Sequence, residues 1–170
     1  MADQSKLAIL VGGGPAPGIN SVIGAATIRA CLSGIPVLGV RDGFQWIMRG
    51  ELAHARPLDI EAVSRIHFRG GSCLGTARAN PTKDPKTLET TLNSLKQLGV
   101  TKLITIGGDD TCFSARRLSA HSQGALKVVH VPKTIDNDLD LPAWIPTFGY
   151  QTARHVGPGS VRELLTDAQT

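Results

Sequence analysis

Leu103-Ile104-Thr105-Ile106 runs into Gly107-Gly108-Asp109-Asp110, and Leu126-Lys127-Val128-Val129-His130-Val131 runs into Pro132-Lys133-Thr134-Ile135-Asp136-Asn137-Asp138. Each is a run rich in β-branched residues that stops at glycine or proline and delivers carboxylates into a loop, which reads as a buried strand followed by a functional turn. Leu7-Ala8-Ile9-Leu10-Val11, ending at Gly12-Gly13-Gly14, has the same shape. A strand that is apolar at every position needs cover on both faces, and a parallel sheet between two helical layers supplies it.

The intervening sequence supplies those helices. Asn20 or Ser21 is placed to cap a helix running to about Ser33, with Val22, Ile23, Ala26 and Ala30 as its apolar stripe. Gly34 ends it, and residues 35–40 give a second strand. Residues 42–56 are less regular, with a short helix expected around Phe44–Met48, and Asp59 can cap another near Ile60. Asp84-Pro85 opens a helix with a capping carboxylate and a proline at the first helical position; Leu88, Leu92 and Leu95 follow at helical spacing and Gly99 closes it. A further helix runs from Asp109 or Asp110 to about Ala120. A last one starts near Gln151, is expected to be strained at Pro158-Gly159, and resumes toward Leu165. Strands alternating with helices predict one α/β domain: a doubly wound, mostly parallel sheet with helices on both faces. In that architecture ligands gather at the carboxyl ends of the strands.

Composition narrows the partners. The 170 residues are 41% apolar and 19% charged, as in a globular protein with one core. The net charge of +4 is dispersed and aromatics are 4%, so no basic stripe or stacking platform for nucleic acid is expected. Cys31, Cys73 and Cys112 are odd in number and lack CxxC spacing, which predicts free thiols in a reducing compartment. The polar N-terminus does not read as a signal peptide, and no apolar run reaches membrane-span length, so a cytoplasmic protein without membrane contact is expected.

Four loops carry candidate chemistry. Gly12–Gly18 joins a strand to a helix, where glycines let backbone N–H groups approach an anion, although a plain tight turn explains it equally well. It lacks the Gly-Lys-Ser/Thr of a P-loop and the GxGxxG spacing of a dinucleotide site. Arg69-Gly70-Gly71 through Thr76-Ala77-Arg78 places arginine at both ends of a glycine-rich loop, suited to phosphate oxygens. Asp109 and Asp110 start a helix. One of them could cap it, but two carboxylates exceed what a cap needs, and magnesium takes one or two carboxylates plus substrate phosphates. Asp136, Asp138 and Asp140 alternate as in a calcium loop, yet Leu141 and Thr147 stand where glycine and glutamate are required, so calcium is rejected. A carboxylate there could instead accept a hydroxyl proton during phosphoryl transfer, with Lys133 neutralising phosphate charge. The five histidines show no metal-ligand spacing.

Together, Gly13-Gly14-x-Ala16-Pro17-Gly18-x-Asn20, Arg69-Gly70-Gly71-x-x-Leu74-Gly75-Thr76-Ala77-Arg78, Gly107-Gly108-Asp109 and Thr134-Ile135-Asp136-Asn137-Asp138 resemble the phosphofructokinase family across nearly the whole chain. The resemblance implies that Asp136 is the base for the sugar 1-hydroxyl, and that Thr134, Ile135 and Asp138 line the fructose 6-phosphate site with it. It implies that Asp109 holds Mg²⁺, and that Gly13, Gly14, Arg78, Gly107 and Gly108 contact the phosphoryl donor. ATP-using members usually read Gly-Gly-Asp-Gly and Pro-Gly-Thr-Ile-Asp-Asn-Asp. Asp110 and Lys133 replace those glycines and match the pyrophosphate-using branch. A carboxylate at 110 fills and repels the space of an ATP α-phosphate, while Lys133 offers charge to the terminal phosphates. Pro15 stands where many members carry aspartate.

Family subunits continue with a Met-Gly-Arg segment and further residues for the sugar phosphate. The resemblance therefore implies that residues 1–170 are the donor-binding domain of a longer, homo-oligomeric enzyme and are inactive alone. The alternatives are an ATP-dependent phosphofructokinase, a more distant sugar or lipid kinase with a Gly-Gly-Asp loop, or a non-catalytic phosphate-binding module.

Overall fold

The computed structural model describes residues 5–142, 144, 145 and 147–169. Its strands are β1 (Lys6–Val11), β2 (Val37–Val40), β3 (Ala55–Leu58), β4 (Val100–Gly107) and β5 (Lys127–Pro132), and its helices are α1 (Ile19–Leu32), α2 (Ile60–Val63), α3 (Pro85–Gln97), α4 (Asp109–His121) and α5 (Tyr150–Asp167). The strands form one sheet in the order β3-β2-β1-β4-β5. β2, β1, β4 and β5 are parallel neighbours, and β3 joins antiparallel at the β2 edge.

The apolar run of β1 is divided by the pleat between two cores. Leu7, Ile9 and Val11 face one side, against Ile19, Ile23 and Ala30 of α1 and Val63 of α2. Ala8 and Leu10 face the other, against Leu88 and Leu95 of α3 and Leu118 of α4. Ile9, Leu10 and Ile23 are fully buried, each burial contributing roughly 1.5–3 kcal/mol before entropic costs. Helices on both faces thus account for a strand without polar alternation, as the sequence predicts.

β1 and β4 are hydrogen-bonded neighbours, yet α1 leaves β1 toward one face and α4 leaves β4 toward the other. The two connections diverge at the carboxyl ends of adjacent strands, and a crevice opens between them.

Local details depart from the sequence reading in four places. Neither Asn20 nor Ser21 caps α1; Gly18, with φ 94°, precedes the helix without a side-chain cap. The short helix expected at Phe44–Met48 is a series of turns ending in a 3-10 turn at Ile47–Arg49. It is organised by Trp46, whose ring stacks on His54 at 4.1 Å and whose Nε1 donates to Asp42 at 2.9 Å. The β3 strand that follows was not foreseen: it carries Arg56 and Pro57, residues suited to an edge. Finally, α5 continues unbroken through Pro158. The carbonyl that proline leaves unpaired belongs to Arg154, on an exposed helix face where solvent can reach it. By contrast, Asp84 accepts from the Lys86 N–H with Pro85 next in the chain, and Asp59 accepts from the Ala62 N–H at 2.7 Å, as read from sequence.

The three cysteines are free, Cys31 half-buried and Cys73 and Cys112 exposed. Among the described residues no helix is long and apolar enough to cross a membrane.

Candidate active site

A cleft of about 670 Å³ lies at the carboxyl ends of β1, β4 and β5. Gly13, Gly14, Arg78, Gly108, Asp109, Asp110, Lys133, Thr134, Ile135, Asp136 and Asp138 all line it. Residues from four separate loops thus meet in one cavity. Gly107 is the exception among the candidate residues. It lies beneath the wall, where a Cβ would stand 2.6 Å from Thr111 Cβ and 2.9 Å from the Gly12 carbonyl oxygen. Its lack of a side chain lets α4, which carries Asp109 and Asp110, start close against β1.

The glycine-rich first loop and the arginine loop are tied backbone to backbone. Gly13 N–H donates to the Ala77 carbonyl at 3.1 Å, and the Thr76 hydroxyl donates to the Gly13 carbonyl at 2.5 Å. Gly13 has φ 83°, a conformation glycine adopts without strain. The arginine loop is braced from below by Asn20, which is 3% exposed. Its Nδ2 donates to the Arg69 carbonyl at 2.9 Å and its Oδ1 accepts from the Cys73 N–H at 2.8 Å. Asn20 therefore serves the loop instead of the helix end, with partners some fifty positions away.

Asp109 and Asp110 occupy the first turn of α4, and neither side chain caps it. Both are exposed to the cleft, where the helix N-terminus favours negative charge. Among the described residues no three His, Cys, Asp or Glu side chains gather to hold a metal by themselves. One or two hard carboxylates facing an open cleft suit Mg²⁺, which completes its shell with phosphate oxygens and water.

Lys133 is 5% exposed and its ammonium donates to the Gly14 carbonyl. Burial lowers its pKa and the neighbouring Arg78 adds to the fall, while Asp136 pulls it back up. A buried ammonium with a single backbone acceptor keeps donor capacity for a ligand anion. Beneath it, Lys133 N–H donates to the Gly107 carbonyl at 2.8 Å.

Asp136 is exposed in the same cleft, its N–H donating to Thr134 Oγ1 at 3.1 Å. Ile135 is 44% exposed and Asp138 is also open. The lining includes residues that the sequence gave no reason to single out: Asn80, Thr111 and Leu139. Asn80 Oδ1 accepts from Thr82 N–H at 2.8 Å and from Thr82 Oγ1 at 2.6 Å, a local turn that no motif marks. His130, read only as a surface or core residue, lies half-buried under the Asp109 loop. Its Nε2 donates to the Gly107 carbonyl at 3.1 Å, and its Nδ1 lies 2.9 Å from Thr105 Oγ1. Burial lowers its pKa, partly offset by the Gly107 bond and the Asp109 charge.

The phosphofructokinase family model matches residues 6–170. The chain is 56% identical over 165 residues to a pyrophosphate–fructose 6-phosphate 1-phosphotransferase of Thermotoga maritima, covering 97% of this chain and 39% of that protein. An enzyme of the same description from Naegleria fowleri is 53% identical over 164 residues, with 96% and 38% covered. ATP-dependent 6-phosphofructokinase 1 of Clostridium perfringens is 37% identical over 161 residues, with 95% and 48% covered. In three dimensions, phosphofructokinase from Saccharomyces cerevisiae superposes with a TM-score of 0.79 at 23% identity, over 96% of this chain and 24% of that one. The chain thus spans less than half the length of these relatives. The family match over residues 6–170 makes the chain a member of the phosphofructokinase family, and the fold agrees.

Proposed function

We propose that this chain is the donor-binding domain of an enzyme that moves a phosphoryl group from pyrophosphate to the 1-hydroxyl of fructose 6-phosphate. The observation that carries the reading is the meeting of Asp110 and Lys133 in the cleft with Asp109 and Asp136. A carboxylate at the start of α4 occupies the room a nucleotide's α-phosphate needs, and an ammonium beside the first loop suits a compact, highly charged donor. The relatives from Thermotoga and Naegleria, by their names, use pyrophosphate.

In this reading Asp136 accepts the proton of the 1-hydroxyl as its oxygen attacks phosphorus. The bond from phosphorus to the bridging oxygen breaks, and inorganic phosphate leaves, giving fructose 1,6-bisphosphate. Little covalent chemistry falls to the protein, so positioning and charge carry the catalysis. Lys133 and Arg78 face the donor oxygens, Gly13 and Gly14 bring backbone close to them, and Thr134, Ile135 and Asp138 face the sugar phosphate. Asp109 would hold Mg²⁺, which when bound offsets phosphate charge. The same reading carries a glycolytic role in the cytoplasm, further sugar-phosphate residues from elsewhere in a longer subunit, and a homo-oligomer.

ATP as donor is the second reading, favoured by the ATP-dependent relative at 37% identity. Calorimetry with Mg²⁺-pyrophosphate and Mg²⁺-ATP in parallel separates the two. Pyrophosphate binding with ATP silent is expected, and ATP binding as tightly as pyrophosphate would sink the pyrophosphate assignment.

A further inference from the structure

The loop that carries Asp136 is closed by a latch that the proposed chemistry does not itself require. Asn137 sits at φ 56°, in the left-handed region that few residues other than glycine enter. Its Oδ1 accepts from the Thr147 N–H at 3.0 Å. Thr147 is 3% exposed, and its hydroxyl donates to the Thr134 carbonyl at 2.8 Å. Thr134 in turn receives the Asp136 N–H on its own hydroxyl. Both flanks of Asp136 are thus fastened to one buried threonine ten positions downstream of Asn137. The latch is itself anchored: Lys133 and Phe148 form an isolated parallel bridge, and the Phe148 ring lies where a Cβ on Gly18 would be, 2.9 Å away. The end of the loop is therefore pinned to the beginning of α1 and the glycine-rich first loop.

We infer that Thr147 and Asn137 are positioning residues that aim the Asp136 carboxylate into the cleft. The inference rests on the proposed role of Asp136 as the proton acceptor. A base on an open loop would sample many directions, and a misplacement of about 1 Å at a reacting centre costs on the order of 100-fold in rate. Tying Thr134 and Asn137 to the same threonine removes the two hinges on either side of the carboxylate. Thr147 and Asn137 themselves touch neither the donor phosphates nor the sugar in this reading, so their loss should fall mainly on kcat.

The test uses the full-length protein bearing this chain, with pyrophosphate and ATP as donors. Thr147→Val keeps the shape and deletes the hydroxyl. It is expected to lower kcat on the order of 10- to 100-fold with KM for both substrates within about threefold of the parent. Thr147→Ser restores the hydroxyl and is expected to recover kcat to within about threefold. Asn137→Gly accommodates the left-handed backbone while removing the acceptor and loosening the chain beside Asp136, so kcat should fall at least as far as in Thr147→Val. In an Asp136→Asn background, Thr147→Val should add less than about a twofold further loss, because there is no carboxylate left to aim. Thermal melts of all variants accompany the kinetics; a Thr147→Val protein that does not fold leaves Asn137→Gly and Thr147→Ser to decide. Parental kcat in Thr147→Val or Asn137→Gly overturns the latch, and so does a loss confined to KM. Absence of phosphoryl transfer by the parent with either donor overturns the proposed function and this inference together, whereas an active parent with indifferent latch variants overturns the inference alone.

Discussion

The Lys133 ammonium donates to the Gly14 carbonyl, joining the loop after β5 to the loop after β1 across 119 positions of sequence. A lysine that is 5% exposed stands at the floor of an open cleft at some cost to the fold: burial lowers its pKa. Such a charge is retained where a ligand of opposite sign is expected.

Lys133→Met separates the two consequences. Because the folded state holds this proton less tightly than the unfolded chain does, the charge destabilises the fold at neutral pH, and its removal should leave the melting temperature within about 3 °C of the parent or above it. On the proposed reading, phosphoryl transfer from pyrophosphate by the full-length protein should fall on the order of 100-fold. A large drop in melting temperature would show that the Gly14 contact is mainly structural.

Asp110→Gly should open the room beside the first turn of α4. On the proposed reading the ratio of ATP to pyrophosphate turnover, measured side by side, rises on the order of tenfold. An unchanged ratio would count against Asp110 as the residue that excludes ATP.

Gly107→Ala adds a methyl 2.6 Å from Thr111 Cβ and 2.9 Å from the Gly12 carbonyl oxygen. Neither neighbour can retreat without moving α4 or β1, so a loss of about 1–3 kcal/mol is expected from denaturant unfolding. Gly14→Ala, where nothing lies within 4 Å of the added carbon, serves as the silent control for stability.

Asn20→Ala removes the brace under the arginine loop, leaving the Cys73 N–H and the Arg69 carbonyl without their partner. A stability loss of about 1–3 kcal/mol is expected. Faster amide exchange at residues 69–78, with α1 itself unchanged, would distinguish a loop brace from a helix cap.

His130 gives the fold a pH dependence of definite sign. Its folded pKa is lowered, so between that value and the ordinary 6.5 of the unfolded chain the unfolded state binds the proton more readily. The stability it contributes is present above pH 6.5 and is lost as pH falls. Denaturant midpoints at pH 7.5 and 5.5 should therefore drop more in the parent than in His130→Gln, which retains a donor for the Gly107 carbonyl but does not titrate. Equal drops in the two proteins would exclude this histidine as the source.

The order of strands and helices was legible because continuous apolar runs such as Leu7–Val11 have few homes other than a sheet covered on both sides. Asp84-Pro85 marked its helix start through local chemistry alone. Residues 42–58 were not legible: the stack of Trp46 on His54 and the antiparallel pairing of β3 with β2 are tertiary contacts without a local signature. Asn20 misled for a related reason. A short polar side chain near a helix start resembles a cap until its partners at Arg69 and Cys73 are seen. Among the candidate residues, the loops announced themselves by glycine and aspartate, whereas Gly107 beneath the wall, His130 under Asp109 and Thr147 behind Asp136 carry their meaning only in three dimensions.

β4 and β5 lie side by side in register, with Gly107 opposite Pro132. Asp110, in the first turn of α4, and Lys133, just past β5, therefore come to line the same cleft. On the proposed reading, a lineage changing its phosphoryl donor would have to alter both positions. A descendant with one change would carry either the Asp110 carboxylate without the Lys133 ammonium in the same cleft, or that ammonium facing an enlarged pocket. On that reading, the adjacency of two strands makes donor choice an evolutionary step of two substitutions, and the two positions should drift together.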